Sequence, residues 1–558
     1  MTLEHTLEER RRKEKYDELR HKEEEAATER LASKMELPYA NLTGYAVNAE
    51  ALSVLDESAT EHAGLCVISK NGPHLKIAIK NPKNPQTMLA IENLKNKGFV
   101  VDLALVSEGS LKRAWEFYSL IPKEKENISG TIEITPENLV KLQEEIKYID
   151  DFKDIYMRAS LRNVTAVIEL IIAGSLSLNS SDIHIEPQKE KAVIRFRIDG
   201  ALQEIAELNK QMYELLTSRV KLLSKMKINV KNTPQDGRFT ITSTGSIPIE
   251  VRTSVLPGPE GESIVMRILN PKAIALALED LGVLNHDLEL IKEELKRPNG
   301  LILVTGPTGS GKTTTLYAFL KKIKNPEIKI ITIEDPIEYH VEGISQSQVN
   351  QENHYTFSSG LRSILRQDPD IILVGEIRDM ETADIALHAA LTGHLVFSTL
   401  HTNDAPSSIL RLIDMKLSPS IIAPALNMLI AQRLVRKVCK QCAKKDKITE
   451  EELKKIRTEL ADLPLKIKIN LPEISENIEI ARATGCKECN YTGFKGRIGV
   501  YEMFPVNNES EKVIVSKPTQ VQLFEMAKRN GMVTMKQDGF IKVLNGITTV
   551  SEVESVTG

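Results

Sequence analysis

Aromatic residues make up only 4% of this 558-residue chain, with a single tryptophan. A track of stacked aromatic faces for single-stranded nucleic acid is therefore not expected. Nor is there an excess of positive charge. The 73 basic side chains stand against 77 acidic ones, a net charge of −4, which disfavours a chain-wide field that would steer polyanions or anionic lipid. No run of about eighteen apolar residues occurs, and the N-terminus is charged rather than a basic start leading into an apolar core, so neither a membrane span nor a signal peptide is expected. Cysteine is scarce, five in all, too few for a secreted disulfide scaffold. Four of the five form two close pairs, which in a reducing cytoplasm points to metal ligation. Internal repeats are also lacking, and the length suggests three or four domains.

What is present divides along the chain. Residues 1–33 carry a mixed-charge run, Glu8 to Lys15 and Glu23-Glu24-Glu25, and read as a charged helical tail. Over 34–120 short apolar runs such as Leu75-Lys76-Ile77-Ala78-Ile79 alternate with helical segments, as in a small α/β docking domain. Residues 121–150, rich in Lys, Glu and Asn, read as a linker. Over 151–270 a helix leads into strands of period two, such as Ile194-Arg195-Phe196-Arg197-Ile198 and Ile249-Glu250-Val251-Arg252. Such strands bury one face and present arginines on the other. A second linker falls at 271–284, and from 285 to 558 helices and apolar strands alternate as in a parallel-sheet nucleotide-binding domain.

That last region holds the strongest motif. The apolar strand Leu301-Ile302-Leu303-Val304 runs into Gly306-Pro307-Thr308-Gly309-Ser310-Gly311-Lys312-Thr313, and Thr314 onward can continue as a helix. Glycines there let backbone N–H groups converge on phosphate oxygens, Lys312 reaches the terminal phosphates and the Thr313 hydroxyl can ligate Mg²⁺. A second apolar strand, Ile371 to Val374, ends in Gly375-Glu376. Its carboxylate would sit beside the Mg²⁺, the bland alternative being an exposed strand cap. A third strand, Ile330 to Ile333, ends in Glu334, Asp335 and Glu338, bent by Pro336. Glu338 is the candidate for orienting the attacking water, although a merely charged strand end remains open. Finally, His394 and His401 bracket an apolar strand, where either could sense a phosphate or be satisfied within the fold. Cys439-x2-Cys442 and Cys486-x2-Cys489 are two hooks able to close a tetrahedral structural Zn²⁺ site, with disulfides or buried free thiols as the alternatives. Cys66 stands alone and reads as core.

Taken together, these segments resemble the Walker A, Asp box, Walker B and His box of the type II secretion and type IV pilus assembly ATPase family, in that family's order. The resemblance spans roughly residues 150 to 558 and implies a RecA-like P-loop motor domain preceded by a PAS-like, arginine-bearing α/β domain and a small N-terminal docking domain. It also implies that Glu338 polarises the water, that Glu376 serves Mg²⁺, and that His401, with His394, communicates with the γ-phosphate. Arg238, Arg252 and Arg267 lie in the strands matching the family's nucleotide-closing arginines, each with a solvated or salt-bridged alternative. The tetracysteine module, residues 436–502, is similar to the element of the assembly and export branch that retraction motors typically lack. The resemblance thus implies an ATP- and Mg²⁺-dependent homohexamer driving pilus extension. It would act at the cytoplasmic face of the cell membrane through a membrane platform protein and other pilus or secretion assembly proteins. A type II secretion pseudopilus motor is the alternative, and a nucleic-acid translocating P-loop motor a more distant one. The preference for adenine rests on the resemblance, with only negative support from the absence of an Asn-Lys-x-Asp guanine motif after the P-loop.

Overall fold

Four short runs, Gly300–Thr305, Ile330–Glu334, Ile371–Val374 and Leu395–Leu400, are buried at every position, as strands covered on both faces must be, and they mark the motor sheet. The computed structural model describes residues 23–42, 49–118 apart from 53, 56, 97 and 117, and 131–558 apart from 134–135, 159–163, 243–247, 271–275, 351–352, 465–466 and 468–470. It divides into two units, Met1–Ile128 and Ser129–Gly558.

In the first unit β1 (Leu65–Asn71) pairs antiparallel with β2 (His74–Ile79), and β2 pairs parallel with β3 (Val100–Leu105). The helix Pro85–Asn96 supplies the crossover that parallel pairing requires. Alternate residues serve two cores: Leu65, Val67 and Ile77 face one side, Cys66, Ile68 and Ala78 the other. Burial pushes the Cys66 thiol up to about 12, so it is an inert core residue. Of the expected charged helical tail, residues 1–22 lie outside the described residues, whereas 23–33 contribute to this unit. Glu25 is buried and accepts hydrogen bonds from Tyr39 Oη at 2.6 Å and from the hydroxyls of Ser107 and Ser110 at 2.5 and 2.6 Å.

The second unit holds two seven-stranded sheets. The first runs in the order β4-β8-β9-β10-β5-β6-β7, from β4 (Thr131–Glu133), β5 (Asp182–Pro187), β6 (Lys191–Ile198), β7 (Ala201–Asn209), β8 (Gln235–Thr242), β9 (Ile249–Gly258) and β10 (Gly261–Leu269). Every pairing is antiparallel except β4 with β8. The helices Val164–Ser177 and Lys210–Leu223 bury Leu170, Ile171, Leu216 and Val220 with the sheet's inner face, which leaves the outer face for charge. Of residues 121–150, expected to be a linker, 131–133 and 136–150 are described and form regular elements. Thr131–Glu133 is a sheet strand, and the helices Pro136–Glu145 and Ile149–Arg158 follow. Ile146, Ile149 and Phe152 enter the core, and those few apolar side chains outweigh a polar composition.

The motor sheet runs β13-β12-β14-β15-β11-β16-β19. Its strands are β11 (Gly300–Thr305), β12 (Ile330–Glu334), β13 (Ser345–Gln348), β14 (Ile371–Val374), β15 (Leu395–Leu400), β16 (Leu426–Val438) and β19 (Phe494–Pro505). A separate two-stranded sheet pairs β17 (Lys444–Lys447) antiparallel with β18 (Glu479–Arg482). All motor pairings are parallel except β16 with β19. Alternation is strict: Leu301, Leu303, Ile372, Val374 and Val396 face one core, and Ile302, Val304, Leu373, Leu395 and Phe397 the other. Each such side chain contributes about 1.5–3 kcal/mol of burial, which fixes the register and hence the position of every strand end. Of the second expected linker, 271–284, residues 276–284 are described, and Leu278 and Leu281 pack into the motor core. Among the described residues, no helix is long and apolar enough to cross a membrane.

Candidate active site

The carboxyl ends of β11, β12, β14 and β15 lie along one edge of the motor sheet, where open α/β sheets bind ligands. They open into a 1710 Å³ cleft whose other wall is the charged face of the first sheet. Beyond β11 the chain turns through Gly306, Gly309 and Gly311 at φ +147°, +81° and +92°, and the helix Lys312–Ile323 begins. A Cβ on Gly306 would stand 2.5 Å from the Gln432 carbonyl oxygen, and one on Gly311 would stand 2.8 Å from Gln432 Nε2. Only glycine lets the loop lie this close to β16. Gln432 is buried there and accepts a hydrogen bond from Thr315 Oγ1 at 2.9 Å. Lys312 Nζ donates to the carbonyls of Gly306 and Pro307 at 2.8 and 3.1 Å. Burial lowers its pKa, while the carboxylates of Glu376 and Glu338 oppose that shift. Ser310 Oγ is buried without a protein partner, and with the helix's first N–H groups it gives the loop free donors suited to phosphate oxygens.

The carboxylates of β12 separate into different roles. Glu334 is buried and accepts from Tyr317 Oη at 2.5 Å, Thr332 Oγ1 at 2.6 Å and Gln346 Nε2 at 3.2 Å, so it anchors the strand end. Asp335 faces Arg378 Nη1 at 3.8 Å. Glu338 lines the same cleft as Thr313 of the P-loop; burial raises its pKa, Arg252 and Arg267 pull it down, and Glu334 adds to the rise. After β14, Glu376 pairs with Arg378 and lies 3.4 Å from His401 Nε2. Glu338, Thr313, Glu376, Lys312 and His401 thus share one cleft. His394 does not. It sits before the first residue of β15, with Nδ1 3.0 Å from the Ala389 carbonyl, whereas His401 follows the last. At ~3.3 Å per residue the strand separates them by about 20 Å, which corrects the expectation that both address a phosphate.

The facing wall is a lateral row. Register places Arg238 opposite Arg252, Arg252 opposite Arg267, Arg267 opposite Asp182 and Asp182 opposite Arg197. Asp182, buried, accepts from Arg267 Nε at 2.9 Å and has Arg197 Nε at 3.6 Å. Arg252 Nη2 donates to the Ile337 carbonyl at 2.7 Å, one residue before Glu338. Arg252, Arg267 and Arg197 line the cleft. Arg238, at the β8 end of the row, is 65% exposed and faces Glu250 at 3.9 Å outside the cleft. Of the expected arginine trio, Arg252 and Arg267 line the cleft and Arg238 does not, while Arg197 lines it as well. Sequence reasoning also passed over Arg378, Gln432 and Asp182. The signal for Gln432 was a polar residue inside an otherwise apolar buried strand.

The four paired cysteines converge. Their sulfurs lie within 4.8 Å of one another, with Cys439–Cys486 at 3.9 Å and both Cys442–Cys489 and Cys486–Cys489 at 3.8 Å. Sulfurs at the corners of a tetrahedron with metal–sulfur bonds of ~2.3 Å stand about 3.8 Å apart, so the donor set fits Zn²⁺. Backbone N–H groups of Cys486 and Gly493 each reach Cys489 Sγ at 3.2 Å, as thiolate ligands require.

A parallel sheet with a glycine loop, a helix start and converging carboxylates at its carboxyl edge defines a P-loop nucleotide-binding protein. Residues 158–555 match the type II/IV secretion system protein family, and the chain belongs to that family. It is 35% identical to the type IV pilus assembly ATPase PilB of Myxococcus xanthus, over 95% of this chain and 91% of that one. Against the type II secretion system ATPase E of Vibrio cholerae it is 43% identical, over 71% of this chain and 75% of the other. The solved ATPase DotB of Legionella pneumophila shares the fold, with a TM-score of 0.51 at 21% identity over 71% of this chain and 96% of that one.

Proposed function

We propose that this protein is a Mg²⁺-dependent ATPase that drives type IV pilus assembly from the cytoplasmic face of the cell membrane. The observation that carries the reading is the meeting, in one cleft, of Lys312 and Thr313 with Glu338, Glu376 and the arginine row. The P-loop amides and Lys312 bind the phosphates of ATP. Thr313 and Glu376 would hold Mg²⁺, whose charge offsets that of the phosphates. Glu338, in the same cleft as the P-loop, orients and polarises the attacking water. Arg252 and Arg267 meet the charge that develops on the transferred phosphoryl group. His401, beside Glu376, responds to the terminal phosphate. The cysteine cluster takes Zn²⁺ as a structural ion. A homohexamer would couple turnover to a membrane platform protein and other assembly proteins, reaching the membrane only through them.

The near-complete overlap with a pilus assembly ATPase supports extension over the type II secretion alternative, for which the similarity covers less of the chain. Phosphate release by the purified protein with Mg²⁺ and ATP tests the enzymatic part, beside Lys312→Ala and Glu338→Gln and with or without single-stranded DNA. Loss in both variants and indifference to DNA is expected. Stimulation by DNA, or activity surviving Glu338→Gln, would overturn it. Removing the coding sequence from its host should abolish surface pili; loss of exoprotein secretion with pili intact would instead assign the secretion role.

A further inference from the structure

The arginine sheet and the motor sheet meet a second time, away from the phosphates, at the cysteine cluster. In a Cys-x2-Cys turn the two thiols point at the metal position, so the intervening residues and those just after must face outward. Here they face the helix Ile149–Arg158. The Ile149 N–H donates to Asn490 Oδ1 at 3.0 Å, and Tyr148 Oη donates to Glu488 Oε2 at 2.8 Å. Lys487 Nζ lies 3.1 Å from Asp151 Oδ1 and 4.9 Å above the Tyr148 ring, and Tyr491 Oη donates to Asp150 Oδ2 at 3.3 Å. Asn490 and Tyr491 adopt φ of +47° and +62°, which continue the turn and aim it. A second attachment lies nearby: the Gly496 N–H donates to Asp199 Oδ2 at 2.7 Å.

Both attachments lead to the arginine row. Phe152, in the gripped helix, is fully buried and packs edge-on against Phe196 of β6, with ring centroids 5.7 Å apart. A Cβ on Gly174 would come within 2.4 Å of the Phe152 ring, so the helix is seated without slack. Phe196 precedes Arg197, a member of the row, and Asp199 forms the tip of the same strand's hairpin. A pull on either contact is thus transmitted to β6.

We infer that the tetracysteine knuckle is an intrachain latch, in which Lys487, Glu488, Asn490 and Gly496 hold the arginine sheet in register with Glu338. The inference rests on the proposed role of the arginine row in hydrolysis. Lys487 and Glu488 are positioning residues and touch no substrate. Their side chains are 52% and 34% exposed, and exposed pairs are individually weak, so the latch is suited to release and re-form as the cleft opens and closes. Tetrahedral ligation would stiffen the turn that presents these groups to partners 340 and 341 residues earlier in the chain, giving the metal a mechanical role.

The test is backbone hydrogen exchange of the full chain, with zinc content measured alongside. Lys487→Ala/Glu488→Ala/Asn490→Gly spares all four cysteines and the left-handed turn. It should keep one zinc per chain while amides of 149–158 exchange about tenfold faster. Tyr148→Ala/Asp150→Asn breaks the same contacts from the other side, without touching the knuckle, and should do likewise. Both variants should lower kcat severalfold with nucleotide affinity unchanged. Unchanged exchange in the two variants overturns the latch, and faster exchange with unaltered kcat overturns its positioning role. Should Glu338→Gln prove active, the ATPase reading would fail while the exchange result stood or fell by itself.

Discussion

On the motor wall of the cleft, chemistry stands at strand ends: Lys312, Glu338, Glu376 and His401 each follow a buried strand of the parallel sheet. On the facing wall it stands in mid-strand, where Arg252, Arg267, Asp182 and Arg197 form one row across antiparallel neighbours. A strand end is fixed by the core beneath it and needs no partner to find its place. A row is fixed only by inter-strand register, so each member depends on its neighbours being paired correctly. The first arrangement suits a site that must be complete in every state of the protein. The second suits a set of charges that can be brought up and withdrawn together as one sheet.

The largest effect expected separates two carboxylates of the motor wall. Glu338→Gln should lower ATP turnover by about two to four orders of magnitude while leaving nucleotide binding intact by calorimetry, because it keeps shape and removes the base. Glu334→Gln should act on the fold instead. Its carboxylate accepts from Tyr317, Thr332 and Gln346, and an amide would turn a donor toward one of them, costing about 1–3 kcal/mol in denaturant unfolding. Equal losses of turnover with unchanged stability in both variants would break the distinction between anchor and catalyst.

Next is the row. Arg252→Ala should reduce kcat by about tenfold or more, and Arg252→Lys should restore little, since an ammonium cannot span both the Ile337 carbonyl and a phosphate as a guanidinium fork does. Arg238→Ala, outside the cleft, should stay within about twofold. Steady-state rates of the three variants decide whether position along the row, rather than residue type, sets the contribution.

The two walls can also be read against each other by pH. Glu338 works as a carboxylate, and burial raises its pKa above the usual value of about 4.3. Turnover should therefore fall, as pH is lowered, at a higher pH than an exposed glutamate would give. Arg252 pulls that pKa down, so Arg252→Ala should move the acid limb of the kcat profile upward in pH. A limb that stayed in place would mean that the facing wall does not act on Glu338.

The same contrast explains what was legible in the sequence. The P-loop, Glu376 and His401 were readable because strand, loop and helix are contiguous, and the cysteine hooks because spacing alone encodes a shared metal. The arginine row was readable only as to residue type. That Arg252 meets Arg267, and that Asp182 joins Arg197 to them, is a fact of sheet pairing which no local pattern contains. His394 misled because an apolar strand between two histidines says nothing about which end faces the ligand. Gln432 supports the P-loop from β16, more than a hundred residues downstream, a closeness that only the strand order β15-β11-β16 creates. The stretch over 131–150 was hidden by its polar composition, against which Ile146 and Ile149 were too few to notice.

The smallest expected effect is a pH sensitivity of stability on the motor side. Asp287 is buried, and burial, with Asp538 adding and Lys542 opposing, pushes its carboxyl up to about 7. Burial likewise pushes Glu502 up to about 7, although the Ala405 and Met535 amides hydrogen-bond its carboxylate. Both folded values lie above the unfolded ones of about 3.9 and 4.3. The stability they contribute is therefore complete below those unfolded values and lost as pH rises through 7. Between pH 6 and 8 each should remove about 1 kcal/mol, a shift of only one or two degrees in Tm for a unit of this size. Asp287→Asn and Glu502→Gln should each flatten that slope in thermal unfolding scans. A wild-type Tm that rose from pH 6 to 8 would show that these carboxyls titrate low, and that the motor core tolerates their charge.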